Sequence, residues 1–382
     1  MPLPLIDRIS CDLARRRGAR LLREVPAPVR DAHERIDLAT NSYRGLHRSA
    51  AVAREAKRLA AGVAHGNLAS RLIRESSPLA GALEAEIAQW KGTESALLFT
   101  SGYAANVGMV QALATRSTEV FCDRLNHASI IDGARLSGAK LYRYRHTDMA
   151  DLATRLAKSA APEKLIVTDT VFSMDGDRAP LADIVDLAKR YRACVMVDEA
   201  HATGILGTNG SGLAEAEGVA ADIDIRMGTL SKAVAGMGGF FAGSALLRDF
   251  LVNHSRSLIY STGLPHQVIA FDLAAVRSLR AHPQGGRTLL ARADSFRDRL
   301  HTLGFDTLNS TTQIVPGIVG NDGEALALSA FLAKRGIDAP AVRPPTVPTG
   351  TARIRFSLHT GFTEAQEAAV IAALADWKSG RG

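Results

Sequence analysis

Between about residues 78 and 260, short apolar runs alternate with stretches of helical periodicity, and this alternation restricts the fold more than any other feature. The runs at 94–100, 119–123, 164–168 and 193–198 are apolar almost throughout. Strands of that kind are buried on both faces. Separated by helices, they predict a mainly parallel sheet covered on both sides, an α/β architecture. Ligands of such folds sit at the carboxyl ends of the strands.

After Pro265 the pattern changes. Two long helical stretches, about 265–282 and 286–303, lead to an apolar strand at 313–319, a helix near 323–335, a strand at 352–358 and a last helix. This reads as a smaller α+β unit. The division expected is an N-terminal helical segment (1–38) packing with the small domain, a large domain (39–270) and a small C-terminal domain (271–382). With 382 residues, 46% of them hydrophobic, the chain has enough apolar material for such cores.

The first residues are rich in arginine, but Asp7, Asp12 and Glu24 interrupt them and Ile6, Ile9, Leu13 and Leu21 recur at helical spacing. An amphipathic surface helix is expected there rather than a transit peptide. No apolar run approaches the roughly 18 residues of a membrane helix. Cys11, Cys122 and Cys194 match no zinc or redox spacing, which fits a reducing cytoplasm. The net charge of +7 comes from scattered basic residues, a pattern against nucleic acid but compatible with an acidic or phosphate-bearing substrate carrier.

The chemistry-bearing residues fall at predicted strand ends. Lys232 follows Thr229-Leu230-Ser231, precedes three glycines, and is the only charge between Arg226 and Arg248. Asp198-Glu199-Ala200-His201 closes an apolar strand, where a carboxylate is desolvated unless a cation meets it. Thr100-Ser101-Gly102-Tyr103 turns a strand into a helix whose free N–H groups suit a phosphate. His127 and Ser173 follow two further strands.

Singly, each has an ordinary reading: a loop lysine, a cap, a turn residue, a structural histidine. Together they are the inventory of pyridoxal 5′-phosphate (PLP) chemistry: phosphate cradle, ring-stacking group, O3′ donors, ring-nitrogen partner and Schiff-base amine. A nucleotide-dependent oxidoreductase is disfavoured. The segment 236–243 lacks the third glycine of a dinucleotide fingerprint, and no G-x-x-x-x-G-K-[ST] loop is present. The histidines show no metal-ligand spacing, so no metal is expected.

Thr229-Leu230-Ser231-Lys232, Asp198–His201, the segments 101–106 and 127–129, and Val171-Phe172-Ser173-Met174-Asp175-Gly176-Asp177 resemble the α-oxoamine synthases from about Asp37 to the C-terminus. These are fold-type I PLP-dependent transferases that join an amino acid to an acyl thioester and release CO2. The segment 341–355, with paired prolines after Arg343, resembles the branch that condenses L-alanine with a pimeloyl thioester carried on coenzyme A or acyl carrier protein. The other branches use glycine or serine, and one contains non-catalytic partner subunits that lack the lysine.

The resemblance implies the following roles. Lys232 bonds the cofactor and moves the α-proton, Asp198 pairs with the ring nitrogen, and His201 and Ser173 lie near O3′. His127 stacks on the ring and polarises the acyl carbonyl. Gly102, Tyr103 and Thr229 hold the phosphate, helped by Thr262 of the second subunit of a homodimer with shared active sites. Arg343 clamps the amino-acid carboxylate, with Asn41 and Thr346 near the substrate. Arg23 is the N-terminal arginine that best matches a substrate contact, with Arg20 as the alternative. One segment departs from the family: Leu68 and Ala69 replace glycines before Ser70-Arg71, and Ala80 stands where a histidine is usual. That departure bears on the acyl group more than on the cofactor.

Overall fold

In chain order the strands are β1 (Ile36–Asp37), β2 (Ser95–Phe99), β3 (Thr118–Asp123), β4 (Lys140–Tyr144), β5 (Glu163–Asp169), β6 (Cys194–Asp198), β7 (Ile225–Thr229), β8 (Gly239–Gly243), β9 (Ile314–Gly320), β10 (Ile337–Asp338), β11 (Ala341–Val342) and β12 (Ala352–Ser357). The structure, a computed structural model, describes residues 3–19, 21–23, 25, 35–74 and 78–380. Arg20 and Glu24 lie outside the described residues.

The large sheet has the order β2-β8-β7-β6-β5-β3-β4. From β7 to β4 every pairing is parallel, while β8 runs antiparallel to both β2 and β7. Its central strands are apolar throughout because consecutive residues feed different cores. Ile166, Val195 and Val197 join one cluster, and Leu165, Val167 and Met196 join another on the opposite face. Each such side chain contributes roughly 1.5–3 kcal/mol when fully buried.

Three strands of this sheet go beyond the runs read from sequence. β4 is an edge strand with lysine and arginine facing out. β8 has a glycine at each end, and β7 carries Gly228 and Arg226, a composition typical of loops. There the glycines are packing requirements. A Cβ at Gly239 would stand 2.5 Å from the Ser101 carbonyl oxygen and 2.8 Å from the Gly102 nitrogen, so β8 lies directly against the turn that starts the helix Gly102–Leu113.

The C-terminal elements fall within a few residues of expectation: helices His266–Ala281, Gln284–Thr302, Asp322–Lys334 and Glu364–Ser379, and a small antiparallel sheet ordered β11-β12-β9. Thr363 and Gln366 form a reciprocal capping box at the last helix. The parallel pair β1–β10 ties residues 36–37 to this region, and the Arg35 Nε donates to Asp338 Oδ2 at 2.8 Å. The N-terminal helix Pro4–Gly18 is present as expected and has no buried residue. Its apolar face stays exposed, Leu5 at 59% and Ile6 at 52%.

Candidate active site

The carboxyl ends of β5, β6 and β7 and the starts of the helices Gly102–Leu113 and Ala128–Ser137 surround an open cleft with about 220 Å³ of room. Gly102, Tyr103, His127, Ser173, Asp198, His201, Thr229 and Lys232 all line it. Among the described residues, Arg23, Asn41, Thr262, Arg343 and Thr346 do not line that cleft.

At one end, Ser101 caps the helix Gly102–Leu113, its hydroxyl accepting the Ala104 N–H at 3.0 Å. Helix geometry leaves the Gly102 and Tyr103 N–H groups outside the helical ladder, a site for an anion. A Cβ at Gly102 would come within 3.2 Å of Met227 and Thr229, so the backbone approaches this corner closely. The Thr229 hydroxyl is already committed, donating to the Gly238 carbonyl at 2.8 Å, while Ser231 Oγ lies 2.9 Å from it. With the Thr229 hydrogen on Gly238, Ser231 is the donor of this hydroxyl pair, and it lines the cleft beside Thr229.

At the floor, Asp198 Oδ1 accepts the Ala200 N–H at 2.8 Å and Oδ2 accepts Asn106 Nδ2 at 2.7 Å. Asp198 is 5% exposed, yet it lines the cleft with lone pairs to spare. Asp169 is its cross-strand neighbour in register. Asp169 Oδ2 accepts the His127 N–H at 3.1 Å, while its Oδ1 is buried without a partner. Burial, with the Asp198 charge adding, holds the Asp169 carboxyl well above its ordinary range.

Lys232 ends a chain of side chains: its Nζ is 2.9 Å from His201 Nε2, and His201 Nδ1 is 2.6 Å from the Tyr43 hydroxyl. That hydroxyl donates to Asn41 Oδ1 at 3.1 Å, which also accepts from Arg355 Nη2 at 3.2 Å. Burial pulls the Lys232 ammonium from 10.5 down to about 8 against the carboxylates of Asp198 and Asp169, and the Arg355 charge adds to the fall. His201 is driven well below its usual value by burial, then by the Lys232 and Arg355 charges. The cleft thus holds an amine near neutrality, a neutral imidazole and an oriented carboxylate.

The substrate residues read from sequence divide. Asn41 joins the Lys232 chain of contacts. Arg23 and Thr346 meet each other, Arg23 Nη2 donating to Thr346 Oγ1 at 3.0 Å, and the Arg343 carbonyl accepts the Thr346 N–H at 3.0 Å. Thr262 bridges Ser70 and, with Arg71 and Ala80, lines a separate, mostly apolar recess. The departing segment 66–80 therefore borders that recess.

Sequence reading missed Tyr43, Asn106, Ser129, Asp169, Ser231 and Arg355. One signal was available for Arg355. Arg353 and Arg355 stand two apart in the apolar strand β12, on one face, and are 2% and 5% exposed. Paired arginines in a buried strand need carboxylates or carbonyls, and here they grip the 171–178 loop: Arg355 Nε donates to the Ser173 carbonyl at 2.6 Å, and Arg353 pairs with Asp175.

A seven-stranded, mainly parallel sheet with a lysine, two carboxylates and two histidines at its strand ends defines the fold-type I architecture of PLP-dependent transferases. The chain belongs to the aminotransferase class I and II family, whose model matches residues 33–374. It is 48% identical to a putative 8-amino-7-oxononanoate synthase of Geobacillus kaustophilus over 86% of this chain and 85% of that one. It is 46% identical to the 8-amino-7-oxononanoate synthase of Geobacter sulfurreducens over 91% and 90%. Among solved structures, SPT with PLP superposes with a TM-score of 0.91 at 29% identity, covering 100% of this chain and 98% of that chain.

Proposed function

We propose that this chain is a PLP-dependent acyltransferase of the 8-amino-7-oxononanoate synthase type, condensing L-alanine with a pimeloyl thioester in biotin biosynthesis and releasing CO2 and the thiol carrier. The observation that carries the reading is the meeting of Lys232, Asp198, His127 and His201 at one cleft in a chain 46% identical to a synthase of that name.

The residues fit PLP: the backbone cradle at Gly102 suits a phosphate, and the spare lone pairs of Asp198 suit a protonated ring nitrogen. When bound, PLP supplies an electron sink for negative charge at the amino-acid α-carbon. Lys232, already near neutrality as an amine, holds the cofactor and moves the proton at that carbon. Asp198 keeps positive charge on the ring nitrogen, and Asn106 and the Ala200 N–H hold that carboxylate in place. The Gly102 and Tyr103 N–H groups would orient the phosphate, with the Thr229 and Ser231 side chains beside it. Ser173 and His201 face O3′, and His127 covers the ring and meets the acyl carbonyl. Arg343, Arg23 and Thr346 form the substrate side, with Arg343 suited to a carboxylate by its planar fork.

A homodimer completes the site in this reading, with Thr262 of the second subunit reaching the phosphate. It is supported by the apolar surface beside Thr262, where Leu68 is 88%, Ile73 81% and Tyr260 71% exposed. Among the described residues no helix is long and apolar enough to cross a membrane, and a cytoplasmic location suits a thioester substrate. Coenzyme A or an acidic acyl carrier protein would meet a chain of net charge +7.

Purified protein loaded with PLP and offered L-alanine, glycine or L-serine with pimeloyl-CoA or pimeloyl-carrier protein tests the reading, with product mass as the readout. The expected product is 8-amino-7-oxononanoate from alanine alone. Turnover of glycine or serine without alanine would reject the assignment, and sedimentation as a monomer at micromolar concentration would reject the shared site.

A further inference from the structure

We infer that Asn106 and Ser129 are positioning residues that fix the proton of His127 on Nε2, so that the imidazole presents an N–H donor to the cleft. The claim about what that donor meets rests on the functional reading above; the tautomer is a property of the chain itself.

Asn106 Nδ2 has two hydrogens and two acceptors, Asp198 Oδ2 at 2.7 Å and Ser129 Oγ at 2.9 Å. Turning the amide over would set Asn106 Oδ1 against the Asp198 carboxylate, acceptor on acceptor, so the carboxylate fixes the amide. Ser129 Oγ, accepting from Asn106, has one hydrogen left. Its remaining neighbour is His127 Nδ1 at 2.7 Å, which becomes the acceptor. The Ser129 backbone N–H, at 3.4 Å from the same nitrogen, points the same way. With Nδ1 accepting, a neutral ring carries its hydrogen on Nε2. Burial, opposed by the Asp198 and Asp132 charges and helped by that of Lys232, pulls His127 below its usual value and favours the neutral ring.

Asn106 is 1% and Ser129 0% exposed, so water does not compete for these bonds. The chain Asp198–Asn106–Ser129–His127 links the carboxylate that would pair with the ring nitrogen to the imidazole that would cover the ring. An Nε2–H in the cleft is a donor for the thioester carbonyl oxygen, on which negative charge grows as the carbon–carbon bond forms. The other tautomer would offer that oxygen a lone pair.

The test uses protein labelled with [15N]histidine, with the His127 signals identified by their loss in His127→Gln. In wild type, without PLP and with it, the expected result is a single neutral Nε2–H tautomer at pH 7. Ser129→Ala removes the hydroxyl donor and leaves only the long backbone N–H contact; the Nδ1–H form should then appear beside Nε2–H. In the loaded enzyme kcat should fall about ten-fold with the KM for L-alanine unchanged. Ser129→Thr should restore Nε2–H, and Asn106→Leu should mix the tautomers as Ser129→Ala does. An Nδ1–H ring in wild type, or a tautomer unmoved by Ser129→Ala, overturns the inference. Wild-type protein that never takes up PLP would reject the functional reading and leave the tautomer result standing.

Discussion

His146 sits between two carboxylates, its Nδ1 3.0 Å from Asp123 Oδ1 and its Nε2 2.7 Å from Asp177 Oδ2. Asp123 ends β3, and Asp177 closes the loop that carries Ser173. Burial alone would push this imidazole down; the hydrogen bonds and charges of Asp123 and Asp177 outweigh it and raise the group from 6.5 to about 10. At about 1.4 kcal/mol per tenfold in proton affinity, that corresponds to roughly 4–5 kcal/mol of folding free energy. The folded chain holds the proton more tightly than the unfolded one. The contribution is therefore complete below an unfolded value near 6.5 and is lost as pH climbs through about 10. Urea denaturation of wild type and His146→Gln, followed by circular dichroism from about pH 6 to 10.5, measures it. The gap between the two should be about 4 kcal/mol at the acid end and shrink steadily as pH rises. Lys232, whose value is lowered to about 8, makes folding more favourable between there and 10.5, but it is common to both proteins and cancels in the difference. A gap that does not change with pH would refute a charged His146 clamp.

Lys91 donates to Glu199 Oε2 at 2.7 Å and to Thr203 Oγ1 at 2.9 Å with its side chain fully buried, so Lys91→Met strands a buried carboxylate. It should cost about 3–5 kcal/mol in chemical denaturation, with much of the loss recovered on adding Glu199→Leu; a cost below about 1 kcal/mol contradicts the pair's role. Capture of PLP by the apo protein, read from its visible absorbance, should accelerate with a midpoint near pH 8 and vanish in Lys232→Ala. A midpoint near the ordinary lysine value of 10.5 would mean that Lys232 is not desolvated. Gly239→Ala drives a methyl to within 2.5 Å of the Ser101 carbonyl oxygen. It should lose about 1–3 kcal/mol of stability and weaken PLP binding by calorimetric titration, while unchanged affinity would separate β8 from the cradle.

The parts of the fold visible in sequence are those whose pattern is set by burial on both faces. β5 and β6 are apolar because each successive residue meets a different core, and no loop composition imitates that. β7 and β8 were hidden because close packing demands glycine, at Gly239 against the Ser101 turn and at Gly228 against the Phe240 ring, and glycine also marks loops. The site divides in the same way. Lys232, Asp198 and His127 follow strand ends, where chain geometry alone places ligand groups. Tyr43 and Asn106 reach the site from segments distant in sequence, and nothing in their local pattern announces the hydrogen bonds they make there; for Arg355 only its pairing with Arg353 in a buried strand gives a signal. Thr229 illustrates a finer limit: its position is legible, but the hydrogen bond it donates to the Gly238 carbonyl is not.

Asp198 and Glu199 are adjacent carboxylates with unrelated surroundings, one at the floor of the cleft and one in the Lys91 cage. Successive side chains leave an extended backbone on opposite sides, so the strand's pitch alone decides which acid serves which neighbour. This sets a rule for anyone recoding the protein. Each acid tolerates redesign of its own surroundings, but β6 tolerates no insertion or deletion before residue 198, because a one-residue slip would deliver the wrong acid to both addresses at once.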